Sequence, residues 1–309
     1  MTGDSLDLIV VGGGLAGLTA GLFAARRGLT TLVIESSVPG GHIVNVERIE
    51  DFPGFPEGVA GFDLGPMLQE QAATAGATFE LAEVESIQRI GDNWQVTTPG
   101  GTFTAPAVIL AAGTHPRPLG IPGEDKFQGR GISHCASCDG PLFRGKTVGV
   151  VGSGDWALQE ALTLATFAAE VIIFGDGSTA QHTLRERIAE SSNITLRANV
   201  VVQEILGEKS LTAIRVRDTE SDALEVPLAS LFVYVGQSPN SGLLGGLVAL
   251  DGGGHVPTDS WMRTSEPGLF AAGGVRQHAA GFAITAAGDG ATAAIAACRY
   301  VRERGGSGS

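Results

Sequence analysis

Cys135 and Cys138 stand three positions apart, with Asp139 directly after the second, in the stretch GISHCASCDGPLFRGK at 131–146. Two cysteines at this spacing can close one disulfide or share one metal ion. A structural zinc site takes four Cys or His ligands. The chain has three cysteines in all; the third, Cys298, lies in a helical C-terminal pattern as a small core residue, and no second Cys-x-x-Cys exists. Even with His134 as a ligand the set falls short. The context favours thiol–disulfide chemistry, with no metal expected.

A pair of this kind needs a scaffold, and the 309 residues, 43% hydrophobic and 17% charged, provide about two domains with proper cores. The 46 glycines point to tight nucleotide-binding turns rather than disorder, because the apolar fraction is that of a folded protein. A formal charge of −13 argues against a nucleic-acid groove or an anionic membrane surface. Three cysteines are too few for a secreted disulfide framework, so a reducing, cytoplasmic compartment is expected. The start, MTGDSLDLIVVGGG, enters a strand at once, which disfavours a signal peptide, and no apolar run reaches the ~18 residues of a membrane span. The ending GGSGS predicts a flexible tail over 304–309.

The first positioning unit opens the chain. Residues 6–11 predict a buried strand, then Gly12-Gly13-Gly14-Leu15-Ala16-Gly17, then an Ala/Leu-rich helix to about 28, then a strand over 31–34 ending in Glu35, which is 18 residues beyond Gly17. Strand, Gly-x-Gly-x-x-Gly, helix and acid in this register set a pyrophosphate on a helix N-terminus and a ribose hydroxyl on a carboxylate. A glycine- and proline-rich loop follows over 39–61, then a helical pattern at 64–75, strand-like stretches at 79–84 and 94–98, and a buried strand at 107–111. The Pro-bearing stretch 113–118 predicts a crossing between domains.

The unit then repeats about 140 residues on: a strand at 146–151, the loop Gly152-Ser153-Gly154-Asp155-Trp156-Ala157, a helix at 157–168 and a strand at 171–174. Further strands fit 214–217 and 231–235, the turn cluster 236–240 reads as a return crossing, and an Ala-rich helix spans 283–302. The expected fold is α/β, with two Rossmann-like dinucleotide-binding domains, the second inserted into the first. Boundaries are placed at 1–114 with 245–303 for the first domain, and 115–244 for the second.

These motifs together, VVGGGLAGLTA, the pair Gly40-Gly41, EDFPGF, AAGT, GRGISHCASCDG, GSGDWA, VGQSPN and GLFAAGG, resemble the low-molecular-weight thioredoxin reductase family over nearly all of 5–303. The resemblance implies an FAD in the first domain, with Gly12, Gly14 and Gly17 under its pyrophosphate and Glu35 on the adenosine ribose. Gly40, Gly41, His42 and Asn45 would line the flavin side, with Gly113, Gly274 and Phe282 completing the set. It also implies that Cys138 faces the flavin, that Cys135 exchanges with the sulfurs of a thioredoxin-like partner, that Asp139 shuttles the proton, and that the protein is a homodimer.

The chain departs from the family pattern chiefly at the second loop, where Gly152, Gly154, Asp155, Trp156 and Asp176 form the expected nucleotide site. NADPH-using relatives carry an arginine cluster after the strand matching 171–174; this chain reads Gly175-Asp176-Gly177, with Gln181 where a further arginine would fall. A 2′-phosphate loses charge-assisted bonds there, each ~1.5–3 kcal/mol. Against Asp176, at ~5 Å and an effective dielectric of ~20, it meets a repulsion of about 3 kcal/mol per charge. NADPH is disfavoured, whereas an unphosphorylated ribose suits Asp176, leaving NADH or a second FAD open. Arg185 and Arg187 read as solvated helix residues. Trp156 would stack on a flat ring or serve as interdomain packing.

The flavin site differs too, with Gly274 in place of an aspartate and Gly281-Phe282-Ala283 in place of Arg-Gln-Ala. The pattern fits the divergent branch of the family that works without NADPH, with a ferredoxin as one candidate redox partner. Two alternatives stay open: an NADH- or NADPH-dependent thioredoxin reductase, and a non-catalytic flavin redox sensor.

Overall fold

The computed structural model describes residues 5–218 and 223–306. The chain divides into two compact units, one of residues 1–115 with 238–309 and one of 116–237. Each is α/β and built around a parallel sheet, the Rossmann-like arrangement expected.

In the first unit five parallel strands lie in the order Leu269–Ala271, Ala107–Leu110, Leu8–Val11, Thr31–Glu35, Thr78–Leu81. The central strands are unbroken apolar runs, LIVV and AVIL, buried along their whole length. That follows from covering both faces of a parallel sheet. Leu8, Val10 and Val33 face the helices Leu15–Ala25 and Ala283–Gly306; Ile9, Val11 and Ile34 face Ile87, Trp94 and Val96 of a three-stranded antiparallel sheet. The two helices pack by small residues: a Cβ on Gly290 would lie 2.0 Å from the Ala16 carbonyl.

The antiparallel sheet, Ser86–Ile90, Asn93–Thr98 and Gly101–Ala105, is anticipated only in its middle strand. Its outer strands are largely exposed and carry little apolar alternation. The strand expected at 79–84 is Thr78–Leu81, and the helix expected at 64–75 begins at Gly61. Gly61 lies so close to the Ile43 carbonyl that a Cβ would sit 1.7 Å from it, a packing demand invisible in helical periodicity.

The second unit repeats the plan, with parallel strands in the order Ile194–Arg197, Glu170–Phe174, Thr147–Val151, Ser230–Val233, Ile132–Ser133. A second antiparallel sheet, Val200–Gly207, Leu211–Asp218 and Leu224–Pro227, packs beside it through Val202, Ile214 and Val226.

Two expected boundaries move. The return crossing falls at 237/238, inside the turn cluster expected to carry it at 236–240, so the first domain resumes there rather than at 245. Asn240 explains it, donating its backbone N–H to Gly113 O at 3.0 Å and its side-chain amide to Ala112 O at 2.8 Å, while Leu244 is wholly buried in the first unit's core. The tail expected at 304–309 is helical as far as Gly306, because Arg304 reaches the Asp92 carbonyl and lies over the Tyr300 ring. Among the described residues no helix is long and apolar enough to cross a membrane.

Candidate active site

The cysteine pair lies at a short helix, Ala136–Asp139, in the second unit, entered from the strand Ile132–Ser133. Cys135 and Cys138 are joined in a disulfide with their Cα atoms 5.4 Å apart. Cys135 caps the helix: its Sγ accepts the Cys138 N–H at 3.2 Å, and Ser137 Oγ lies 3.5 Å from the same sulfur. An N–H in this place is the kind of donor that favours a cysteine thiolate. Ser133 Oγ receives the Cys135 N–H at 3.1 Å and fixes the approach to the turn. Cys138 is exposed and Cys135 half-buried. His134, considered as a metal ligand, places Nδ1 2.9 Å from Val233 O, and no cluster able to hold a metal ion occurs among the described residues. Cys298 is buried in the first unit, and burial pushes its thiol up.

At the carboxyl end of the first unit's sheet the glycine loop closes tightly. Gly12 is left-handed at φ 104°, and a Cβ there would meet Ala111 O at 2.4 Å; one on Gly17 would meet Gly12 O at 1.8 Å. Gly14 caps the helix Leu15–Ala25 with no side-chain hydrogen bond and no acid in the first turn. Glu35 turns back on the loop, accepting the Gly13 N–H at 2.5 Å and the Ser37 N–H at 2.9 Å. The Gly40 N–H reaches Gly13 O at 2.8 Å, which brings Gly41, His42 and Asn45, in the turn Gly41–Asn45, to the same edge.

His42 Nε2 lies 2.5 Å from Thr114 O, and a Cβ on Gly274 would sit 3.2 Å from Thr114 Cγ2 and 4.0 Å from the Gly113 Cα. Thr114 thus partly fills the space an aspartate would use at 274. Phe282 is 41% exposed at the start of the last helix, its N–H donated to Thr285 Oγ1. A cradle closed to side chains at Gly12 and Gly17, under a bare helix N-terminus, fits the diphosphate of a dinucleotide.

A largely buried ion pair that no motif marks closes this edge. Asp289 accepts Arg276 Nε at 2.7 Å and its terminal nitrogen at 3.1 Å, and takes the Gly273 N–H at 3.2 Å. The pair is largely buried and pins the turn Gly273–Val275 that carries Gly274. The acid in the Ala-rich run AAGDG was the available signal.

The second loop has the same backbone logic and a different lining. A Cβ on Gly152 would meet Tyr234 O at 2.4 Å, and one on Gly175 would meet Gly152 O at 2.3 Å; Gly154 caps the helix Asp155–Ala165. Asp155 accepts both the backbone and the side-chain N–H of Gln181. Asp176 donates its N–H to Ser153 Oγ at 3.2 Å and accepts the Ser178 N–H at 3.0 Å. Bonds from Ser178, then Ser153, hold its carboxyl below the usual value. Trp156 packs within its own unit, its ring centroid 4.8 Å from that of Tyr234. Two arginines adjoin the loop: Arg197 O accepts the Gly175 N–H, and Arg185 Cγ would lie 3.9 Å from a Cβ on Gly177.

The profile of the pyridine nucleotide-disulphide oxidoreductase family matches residues 6–290. The thioredoxin reductase of Treponema pallidum (strain Nichols) is 39% identical over 298 residues, covering 96% of this chain and 97% of that one. The crystal structure of Lactococcus lactis thioredoxin reductase superposes with a TM-score of 0.94 at 35% identity, covering 97% of this chain and 100% of that one. For T. acidophilum thioredoxin reductase the TM-score is 0.91 at 31% identity, covering 96% and 98%.

Proposed function

The chain belongs to the pyridine nucleotide-disulphide oxidoreductase family, and on that footing we propose that it is a thioredoxin-reductase-like, FAD-dependent enzyme that does not draw on NADPH directly. Its protein substrate is a thioredoxin-like disulfide, its other redox partner a carrier such as a ferredoxin, and its assembly a homodimer. Gly12, Gly14, Gly17 and Glu35 hold the dinucleotide, with Gly40, Gly41, His42, Asn45, Gly113, Gly274 and Phe282 on the flavin side. A flavin bound there supplies two-electron redox chemistry.

The chain's own groups do the exchange. The Cys135 thiolate, stabilised by the Cys138 N–H, attacks one sulfur of the partner's disulfide and expels the other as a thiolate. Cys138 then attacks Cys135 Sγ, closing the bond seen here and releasing the partner's second thiolate. Asp139, in the same helix, moves the proton taken from Cys138. One disulfide is reduced for each one formed.

The observation that carries the exclusion of NADPH is the second loop, where Asp155 ties back Gln181 and Asp176 occupies the turn of the missing arginines. Anaerobic mixing with excess NADPH leaves the flavin absorbance oxidised, while the dithiothreitol-reduced protein still reduces a thioredoxin. Rapid bleaching at micromolar NADPH overturns the exclusion.

The same carboxylate suits an unphosphorylated adenosine ribose, so the second site is proposed for another FAD. Two flavins released per chain on denaturation support this; one per chain from FAD-saturated protein sinks it. The rival reading, a reductase using NADH or NADPH, draws on Arg185 and Arg197 beside the loop and on the family's pyridine nucleotide. Steady-state thioredoxin reduction with either nucleotide would select it, and a pair that cycles only once with every partner would select a redox sensor.

A further inference from the structure

Glu160 is 4% exposed, deep in the helix Asp155–Ala165. Its Oε2 accepts the Ala136 N–H at 3.1 Å and the Tyr234 hydroxyl at 3.2 Å. Ala136 directly follows Cys135, so a buried carboxylate is bonded to the peptide joining the exchanging cysteine to its helix. Burying such a group is tolerable only with donors in place, and here one oxygen has two.

Tyr234, itself 5% exposed, is the second half of the device. Burial first, and then the charge of Glu160 with a smaller contribution from Asp139, push its phenol far above the ordinary value. It therefore stays protonated and donates to Glu160 at every working pH. Its ring is seated against Trp156, which fixes where the hydroxyl points.

We propose that Glu160, held by Tyr234, is a positioning residue that keeps the Cys135–Cys138 pair strongly reducing. A group that stabilises the thiolate of a cysteine pair makes the pair more oxidising, and one that opposes the thiolate makes it more reducing. The Cys138 N–H favours a thiolate at Cys135; negative charge on the far side of the Cys135–Ala136 peptide opposes it. This inference rests on Cys135–Cys138 being the working pair.

The test uses the full-length flavoprotein, equilibrated anaerobically in dithiothreitol redox buffers at one fixed pH and quenched with a maleimide under denaturing conditions. Mass spectrometry then counts one label for the disulfide and three for the dithiol, since Cys298 always contributes one. Glu160→Gln keeps shape and acceptor but removes charge, and shifts the equilibrium about tenfold toward the dithiol, or ~30 mV. Tyr234→Phe leaves the charge with one donor fewer and shifts it roughly threefold toward the disulfide.

A role confined to packing would move both variants the same way. The proposal is overturned if Glu160→Gln stays within twofold of wild type, if both variants move together, or if Tyr234→Phe alone moves toward the dithiol. A wild-type pair fixed at one label in every buffer overturns the working-pair reading as well, and is recognised because the failure lies in the wild type.

Discussion

Asp155 grips Gln181 twice, with Oδ1 2.6 Å from the backbone nitrogen and Oδ2 2.8 Å from the side-chain amide. Gln181 is thereby tied to a carboxylate on the glycine loop proposed to exclude NADPH. The double substitution Asp176→Arg with Gln181→Arg removes one negative charge, adds two positive ones and takes away the side-chain amide held by Asp155, while the backbone bond stays. Each charge-assisted phosphate bond contributes ~1.5–3 kcal/mol, so NADPH affinity rises at least about tenfold. Anaerobic titration followed by flavin absorbance measures it, and an unchanged affinity means that the loop is not what excludes the 2′-phosphate.

The order of the two sulfurs is open to trapping. Cys138→Ser leaves the attacking thiol without its resolving partner, so the dithiothreitol-reduced, desalted variant accumulates a mixed disulfide with oxidised thioredoxin on a non-reducing gel. Cys135→Ser forms none, and both variants lose thioredoxin reduction by about a thousandfold or more, as expected for removing half of a two-step covalent relay. Trapping by Cys135→Ser instead would reverse the assigned roles.

Gly17 has no room for a methyl group, since a Cβ would sit 1.8 Å from the Gly12 carbonyl. Gly17→Ala must push the helix Leu15–Ala25 off the sheet, at about 3 kcal/mol or more. Thermal melting and flavin content fall together. Gly113→Ala meets no atom within 4 Å but is left-handed at φ 64°, so its loss is limited to about 1–2 kcal/mol.

The Arg276–Asp289 pair pins the Gly273–Val275 turn, and both side chains are more than four-fifths buried. Removing one partner leaves the other charged and enclosed, so Arg276→Ala lowers stability by about 3 kcal/mol. The variant also purifies with less flavin. A melting temperature and flavin content equal to wild type would sever this pair from the site.

Acid weakens the folded protein through two carboxyls. The Ser178 bonds lower Asp176, and the His255 N–H first, then the Gly253 N–H and the His255 charge, lower Asp251. A carboxyl depressed in the folded state contributes stability above its ordinary value, near ~3.9, and that contribution is lost as pH falls through the folded value. Melting temperatures stay level from pH 7 to about 5 and drop below about 4. The drop is shallower in the double variant Asp176→Asn with Asp251→Asn; an identical acid limb would remove these groups as its cause.

What the sequence determined by itself is local. Two strand–glycine–helix units, an acid 18 residues beyond Gly17 and a Cys-x-x-Cys-Asp run are contiguous patterns, and each element they imply forms where hydrophobic runs and forced glycine conformations demand it. Only the tertiary structure decided which distant groups meet. Tyr234 reaches Glu160 across 74 positions, Asn240 reaches Ala112 across 128, and Asp289 closes on Gly273 from inside a helix where a lone acid among alanines is its only mark. Such contacts leave no periodicity to read, because a hydrogen bond between buried groups depends on where the sheet and helices bring two atoms, and one residue at each end is all the sequence records of it.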